Sequence, residues 1–274
     1  MRFQYTTDDL IDAFKEVGIE SGDIVFTHVS LGRLGWNTAG RDIETTCREL
    51  LRAFRAVLTN TGTLLVPTYS YSIGKGELFD VEETPSTTGP FSEFVRKQPD
   101  TFRSRDPMLS VVGLGSTAME LIRDLPHTSY GKGSIYERIR KRGAKLCMVG
   151  LGLYWATFRH HIEEMSKVPF RFIKEFTGEI KENGITSSET WEYFAAPFLS
   201  NCAPDGLKLE RLLRDREQCQ TASIGLSEVV AIDAQEYYNL GMDELARDPW
   251  LTAKGPACSD SDMHSSRNAS KEVA

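Results

Sequence analysis

Apolar positions three and four apart mark the first element. Leu10, Ile11, Phe14 and Val17 share one face of residues 7–18, which predicts an amphipathic helix opened by Thr7 and closed by Gly18. An apolar run over 22–30 predicts a strand. A second helical period covers 41–58 and turns Ile43, Leu50, Leu51, Phe54 and Leu58 inward. The run over 61–70, ended by Pro67, predicts the next strand. Strand, helix and strand at this spacing imply a β-α-β unit, hence a sheet of parallel character.

The alternation continues down the chain. Residues 91–98, 116–125, 134–143 and 156–168 read as helices, the last stopped by Pro169, and 109–115 and 145–152 as strands. Residues 71–90 are polar and acidic, and a loop that long inside a compact domain is a functional candidate. From 170 the pattern becomes two antiparallel strands, with Glu182-Asn183-Gly184 at the turn. Residues 205–220 and 233–246 read as helices around a short strand at 227–232. The expected fold class is α/β: a mixed central sheet flanked by helices, with a later antiparallel β-rich addition. One domain spans 1–254, and the polar, aromatic-free stretch 255–274 reads as a disordered tail.

Composition narrows the function. The 274 residues carry 32 Lys plus Arg against 39 Asp plus Glu, a formal charge of −7. That argues against a nucleic-acid partner. No apolar run spans a membrane, and the N-terminus lacks the pattern of an export signal, so a cytoplasmic location is the default expectation. The five cysteines are scattered without a C-x-x-C pair, so neither a disulfide framework nor a metal site is expected.

The sharpest candidate chemistry lies in Thr157-Phe-Arg-His160-His161-Ile-Glu163-Glu164. Helical spacing lets His160 meet Glu163, and His161 meet Glu164. With Thr157 as N-cap, His160 falls in the first turn, where the helix dipole favours neutral imidazole. A neutral, oriented imidazole is what a general base needs. Residue spacing alone leaves a structural histidine the commoner outcome. Gly113-Leu-Gly-Ser-Thr-Ala118 fits a dinucleotide-binding turn, although the next strand ends without the acid that would hold a ribose. Arg103 and Arg105 could pair a phosphate or equally a surface carboxylate. His28, after the first strand, is a ligand candidate or a satisfied core histidine. The acids of 77–83 could hold a cation or simply be solvated.

In order, the motifs resemble one family, the aminoglycoside 3-N-acetyltransferases. They are His28-Val-Ser30-Leu31-Gly-Arg-Leu-Gly35, Gly62-Thr-Leu-Leu-Val-Pro67-Thr68, and Pro85-Ser-Thr-Thr-Gly89 with Glu93 and Arg96. Next come Arg103-Ser104-Arg-Asp-Pro107 with Ser110 and Gly115, then Gly131-Lys-Gly133-Ser134, and last Thr157-Phe-Arg-His160-His-Ile-Glu163. The resemblance runs over roughly residues 5–200. It implies an α/β fold distinct from the common acetyltransferase superfamily and acetyl-coenzyme A as donor, with no metal. It also implies direct acetyl transfer to a primary amine of an aminoglycoside or amino-sugar-like acceptor. By resemblance His160 is the catalytic base, with Glu163 as its acid and Thr157 beside it. His28, Ser30, Leu31, Gly35, Arg103, Ser104, Ser110 and Ser134 fall in donor-lining segments. Thr68, Tyr69, Asp80 and Glu164 fall on the acceptor side.

The sequence departs from the family where Asp106 stands in place of a frequent histidine and Ile135 in place of a proline. The acidic loop and the stretch past 200 also differ. These departures leave open a biosynthetic acyltransferase acting on another small amine. Readings from other classes are a nucleotide-binding oxidoreductase using the 113–118 turn and an inactive interaction protein. No membrane partner is expected, and a homodimer is left open.

Overall fold

The structure is a computed structural model that describes residues 4–259. Strand β1 (Gln4–Tyr5) precedes helix α1 (Thr7–Glu16). The cap of α1 is Thr6, one residue before the expected one. Thr6 and Asp9 exchange side-chain and backbone bonds at 2.7 and 3.0 Å. Strand β2 (Ile24–Val29), β3 (Trp36–Asn37), α2 (Ile43–Leu58) and β4 (Thr63–Pro67) follow. Asp42 caps α2 by accepting from the Thr45 amide at 2.7 Å. Ile43, expected inside, is 59% exposed, because the first turn of α2 projects beyond the face that packs.

Then come β5 (Phe79–Asp80), α3 (Pro90–Arg96), β6 (Phe102–Arg103), β7 (Val111–Gly115), α4 (Ala118–Ile122), α5 (Ile135–Lys141), β8 (Lys145–Val149) and α6 (Arg159–Met165). The chain continues through β9 (Phe172–Glu182), β10 (Ile185–Ala195), α7 (Leu207–Asp215), β11 (Gln220–Ile224), β12 (Ser227–Asp233) and α8 (Ala234–Arg247).

Seven strands form the central sheet in the order β11-β12-β8-β2-β4-β7-β6. Only β2 runs parallel to its neighbours, β4 on one side and β8 on the other; the remaining pairs are antiparallel. The sheet is therefore mixed, as expected. One expected helix stops early. Residues 220–224 pair with 227–231 as a hairpin instead of continuing α7. Gly225 turns that hairpin at φ 56°, and a Cβ there would strike the Leu34 carbonyl.

Each face of the sheet is covered. Leu10, Phe14, Leu50 and Phe54 pack α1 and α2 on one side, with the Phe14 and Phe54 rings stacked at 4.2 Å. Ile139, Ile162 and Tyr237 bring α5, α6 and α8 onto the other. The β9–β10 hairpin keeps the expected turn. Asn183 and Gly184 both take positive φ, 50° and 76°, as a two-residue hairpin turn requires. β5 adds in parallel to β9.

Residues 255–258, placed in the expected tail, are bonded to Asn201: the Gly255 amide donates to its carbonyl, and its side-chain amide reaches Pro256 and Cys258. Residues 260–274 of that tail lie outside the described residues. Among the described residues, no helix is long and apolar enough to cross a membrane.

The C-terminal ends of β2, β4 and β8 share one edge of the sheet, because the three are parallel. The segments 30–34, 68–76 and 150–158 leave from that edge. Open α/β sheets bind ligands at such an edge.

Candidate active site

His160 sits one residue inside α6, at the wall of a cavity of ≈ 470 Å³. Its Nδ1 lies 2.6 Å from Glu163 Oε2, so the spacing argument holds for this pair. Glu163 is fully buried. The carboxylate also meets Arg159 Nε at 3.1 Å and Arg171 Nε at 2.7 Å. Burial pushes the Glu163 pKa up, but Arg171, His160 and Arg159 outweigh it and hold the group ionised, well below the ordinary carboxylate range.

An ionised carboxylate only accepts, so Nδ1 of His160 carries the hydrogen. Nε2 keeps its lone pair. Burial, helped by Arg171 and opposed by Glu163, lowers the ring's pKa to about 4. The neutrality expected from a helix terminus is thus present, with burial as its main cause.

Thr157 does not cap α6. Phe158 holds that position and makes no side-chain cap bond. The Thr157 hydroxyl lies instead 3.0 Å from His28 Nε2, at the end of β2. Pairing of β2 with β8 sets this contact, with His28 opposite Met148 and Val29 opposite Val149. The Tyr69 hydroxyl, beside Thr157, meets the Tyr136 hydroxyl at 2.8 Å. Tyr130 stands edge-on to His160, ring centroids 5.3 Å apart. The expected His161–Glu164 pair does not form. His161 is buried and its Nδ1 meets the Tyr130 carbonyl at 2.6 Å. Glu164 is left with a buried Oε2, and burial raises its pKa to about 7, with Glu192 adding to the rise.

Several expected ligand residues are turned inward. Arg103 donates from Nε to Ser110 Oγ at 3.1 Å and from its terminal nitrogens to the carbonyls of Thr84 (2.6 Å) and Thr68 (2.9 Å), and stacks on Phe79. Ser110 donates to the Thr68 carbonyl at 2.7 Å, and the Thr68 hydroxyl to the Ser110 carbonyl at 3.1 Å. Ser104 receives the Val111 amide at 2.9 Å. This network ties the 79–84 segment to the sheet. Ser134 is buried at the start of α5 without a cap bond. Asp80 is held by Lys181 at 2.8 Å and by the amides of Glu82 and Glu83, both at 3.0 Å. Ser30 donates its amide to the Val149 carbonyl at 2.9 Å and starts the turn that carries Leu31 and Gly35 along the rim. Thr68, Tyr69, Asp80 and Glu164, expected on the acceptor side, are all absent from the wall around His160. Asp106, in place of a histidine, is buried and accepts the amides of Met108 and Leu109 at 2.8 and 2.9 Å.

The cavity wall contains residues that sequence reasoning passed over: Tyr71, Tyr130, Tyr154, Trp155, Tyr193 and Lys254. They come from five separate segments, so no local pattern joins them. Arg159 did carry a signal, four residues before Glu163 on the same helix. Arg171 carried none.

The 113–118 turn is not a dinucleotide site. β7 runs antiparallel to β4, which puts Gly115 opposite Thr63, at the sheet edge away from His160. Gly115 has φ 111°, and a Cβ on it would overlap the Gly62 carbonyl. At Gly113 a Cβ would lie 2.7 Å from Leu65 and 2.8 Å from Ile122. The glycines answer to close packing.

Comparison with known proteins agrees with the geometry. The sequence pattern of the aminoglycoside 3-N-acetyltransferase family matches residues 24–246. Aminoglycoside N(3)-acetyltransferase III of Acinetobacter baumannii is 24% identical, over 92% of this chain and 96% of its own. Aminoglycoside N(3)-acetyltransferase IV from a Salmonella species is 24% identical, over 93% of each. Among solved structures, AAC-IIIb in a binary complex with CoASH superposes with a TM-score of 0.79 at 23% identity, covering 93% of this chain and all (100%) of that one. AAC-VIa bound to sisomicin superposes at 0.77 and 22% identity, covering 89% and 98%. These likenesses bear out the expected α/β fold. With the family pattern running through both the sheet and α6, the chain belongs to the aminoglycoside 3-N-acetyltransferase family and is an N-acetyltransferase.

Proposed function

We propose that the chain transfers the acetyl group of acetyl-coenzyme A directly to a primary amine, with His160 as general base. The observation that carries this reading is the fixed tautomer of His160. Its Nδ1 is committed to Glu163 at 2.6 Å, and its remaining nitrogen is on a ring that lines the cavity.

An alkyl amine is mostly ammonium at neutral pH and cannot attack while protonated. The ammonium first gives one proton to solvent, and Nε2 of His160 then removes the second as the neutral nitrogen bonds to the thioester carbonyl carbon. The imidazolium so formed is stabilised by the Glu163 carboxylate. The carbon–sulfur bond then breaks, and the thiolate takes the proton from His160 and leaves as free coenzyme A. His28 fixes Thr157 beside the site. Its Nδ1 has no partner in the protein, and a buried bare acceptor is tolerated better than a buried bare N–H. So its Nε2–H donates to Thr157 Oγ1, and the Thr157 hydroxyl hydrogen goes on to the Tyr69 hydroxyl. In this reading Ser30 and Leu31, which follow β2, meet the donor arm.

The test is release of free thiol from acetyl-coenzyme A by the purified chain, with a panel of primary amines and an amine-free control. Amine-dependent release is the expected result. Release that ignores the amine, or none with any amine, contradicts the reading.

A further inference from the structure

We infer that the acceptor is a primary monoamine carried on an apolar, ring-bearing body rather than a polycation; this rests on the acetyltransferase reading above. Tyr71, Tyr130, Tyr154, Trp155 and Tyr193 surround the cavity that His160 faces. Trp155 is 53% exposed and Tyr71 37%, so large aromatic faces stand bare at the mouth. Aromatic walls gain from stacking against an apolar ring, and their faces attract one ammonium group.

The charges at the cavity point the same way. Asp205 is the one carboxylate in this lining, and one of its oxygens already accepts the Leu207 amide at 3.0 Å. Two cations share the wall with it, Arg159 and Lys254. Behind the wall, the fully buried Glu163 is matched by that same Arg159 and by one further guanidinium, Arg171. Arg33 adds a further cation at the rim, donating to the Tyr154 hydroxyl at 3.2 Å. Two acids of the 77–83 loop, Asp80 and Glu82, are engaged elsewhere. Asp80 is tied to Lys181, and Glu82 lines a different cleft, which it shares with Arg96, Arg103, Arg105 and Arg123. A polyamine carrying several ammonium groups would meet a wall that is neutral to positive, and like charge at short range repels. A single ammonium, deprotonated on attack and neutral once acetylated, loses its hold on the rings, which favours release of the amide.

The experiment is initial-rate thiol release from acetyl-coenzyme A with 2-phenylethylamine and tryptamine against sisomicin and gentamicin. The expected kcat/KM is about tenfold or more higher for the two arylalkyl monoamines. Trp155→Ala should raise their KM about tenfold with little change in kcat, and Lys254→Glu should narrow the gap to the polycations. A preference for sisomicin or gentamicin overturns this inference and leaves the acetyltransferase reading intact, as does a Trp155→Ala enzyme with unchanged KM. Absence of release with every amine overturns both.

Discussion

Replacing His160 with alanine lowers kcat by about 10²–10⁴, the usual worth of a positioned general base. The loss is expected on kcat, because in the proposed mechanism the imidazole acts on a proton in flight and holds neither substrate. His160 is a wall residue whose side chain is 14% exposed, so its removal leaves the folded state largely intact. A circular-dichroism melt run beside the assay separates the two effects. His161→Ala is the control. That ring is fully buried and bonded to the Tyr130 carbonyl, so its loss costs stability, while kcat per folded molecule changes little. A His160→Ala enzyme with near wild-type kcat removes the base from the mechanism.

The second large effect is on stability. Glu163→Gln deletes a negative charge that contacts both Arg159 and Arg171, two guanidiniums that are 5% and 6% exposed. Breaking a buried ion pair by removing one partner costs about 3–5 kcal/mol, because the other charge stays buried and unmatched. In a domain of this size that lowers Tm by roughly 10 °C. Activity suffers as well. A neutral amide cannot stabilise the imidazolium that forms as the amine is deprotonated, so kcat drops by roughly 10² or more. Calorimetry and the thiol-release assay read the two losses independently. An unchanged Tm would mean that the triad of charges around Glu163 does not hold α6 to the segment that carries Arg171.

Much of the fold was legible because its elements are locally consistent. The α1 and α2 stripes, the Asn183-Gly184 turn and the run at 145–152 each carry their own signal. The errors have physical causes. Strand β11 was hidden because its partner, β12, lies beyond a glycine turn whose need arises from the approach of Leu34, a contact remote in sequence. Sheet direction at β7 was not readable, and that alone made the 113–118 glycines look like a nucleotide turn.

The site divides in the same way. His160 and Glu163 are three residues apart on one helix, so their contact could be read from spacing. The contact between Thr157 and His28 joins positions 129 residues apart and depends on the pairing of two parallel strands. The family resemblance assigns Arg103, Ser104 and Ser110 to donor-lining segments and Thr68 to the acceptor side. Polar character alone does not say whether such a side chain faces a ligand or satisfies neighbouring backbone groups, and these do the latter. The aromatic wall was invisible, since its members are brought together only by the folded chain.

The central claim is that the free nitrogen of His160 works on the reacting thioester. A crystal structure of the chain with bound acetyl-coenzyme A tests it most directly. The account predicts the thioester beside the His160 ring, with Nε2 in hydrogen-bond reach (about 3 Å) of an amine nitrogen attacking its carbonyl, or one water removed from it. A donor whose sulfur lies farther from that ring than one water can bridge contradicts it.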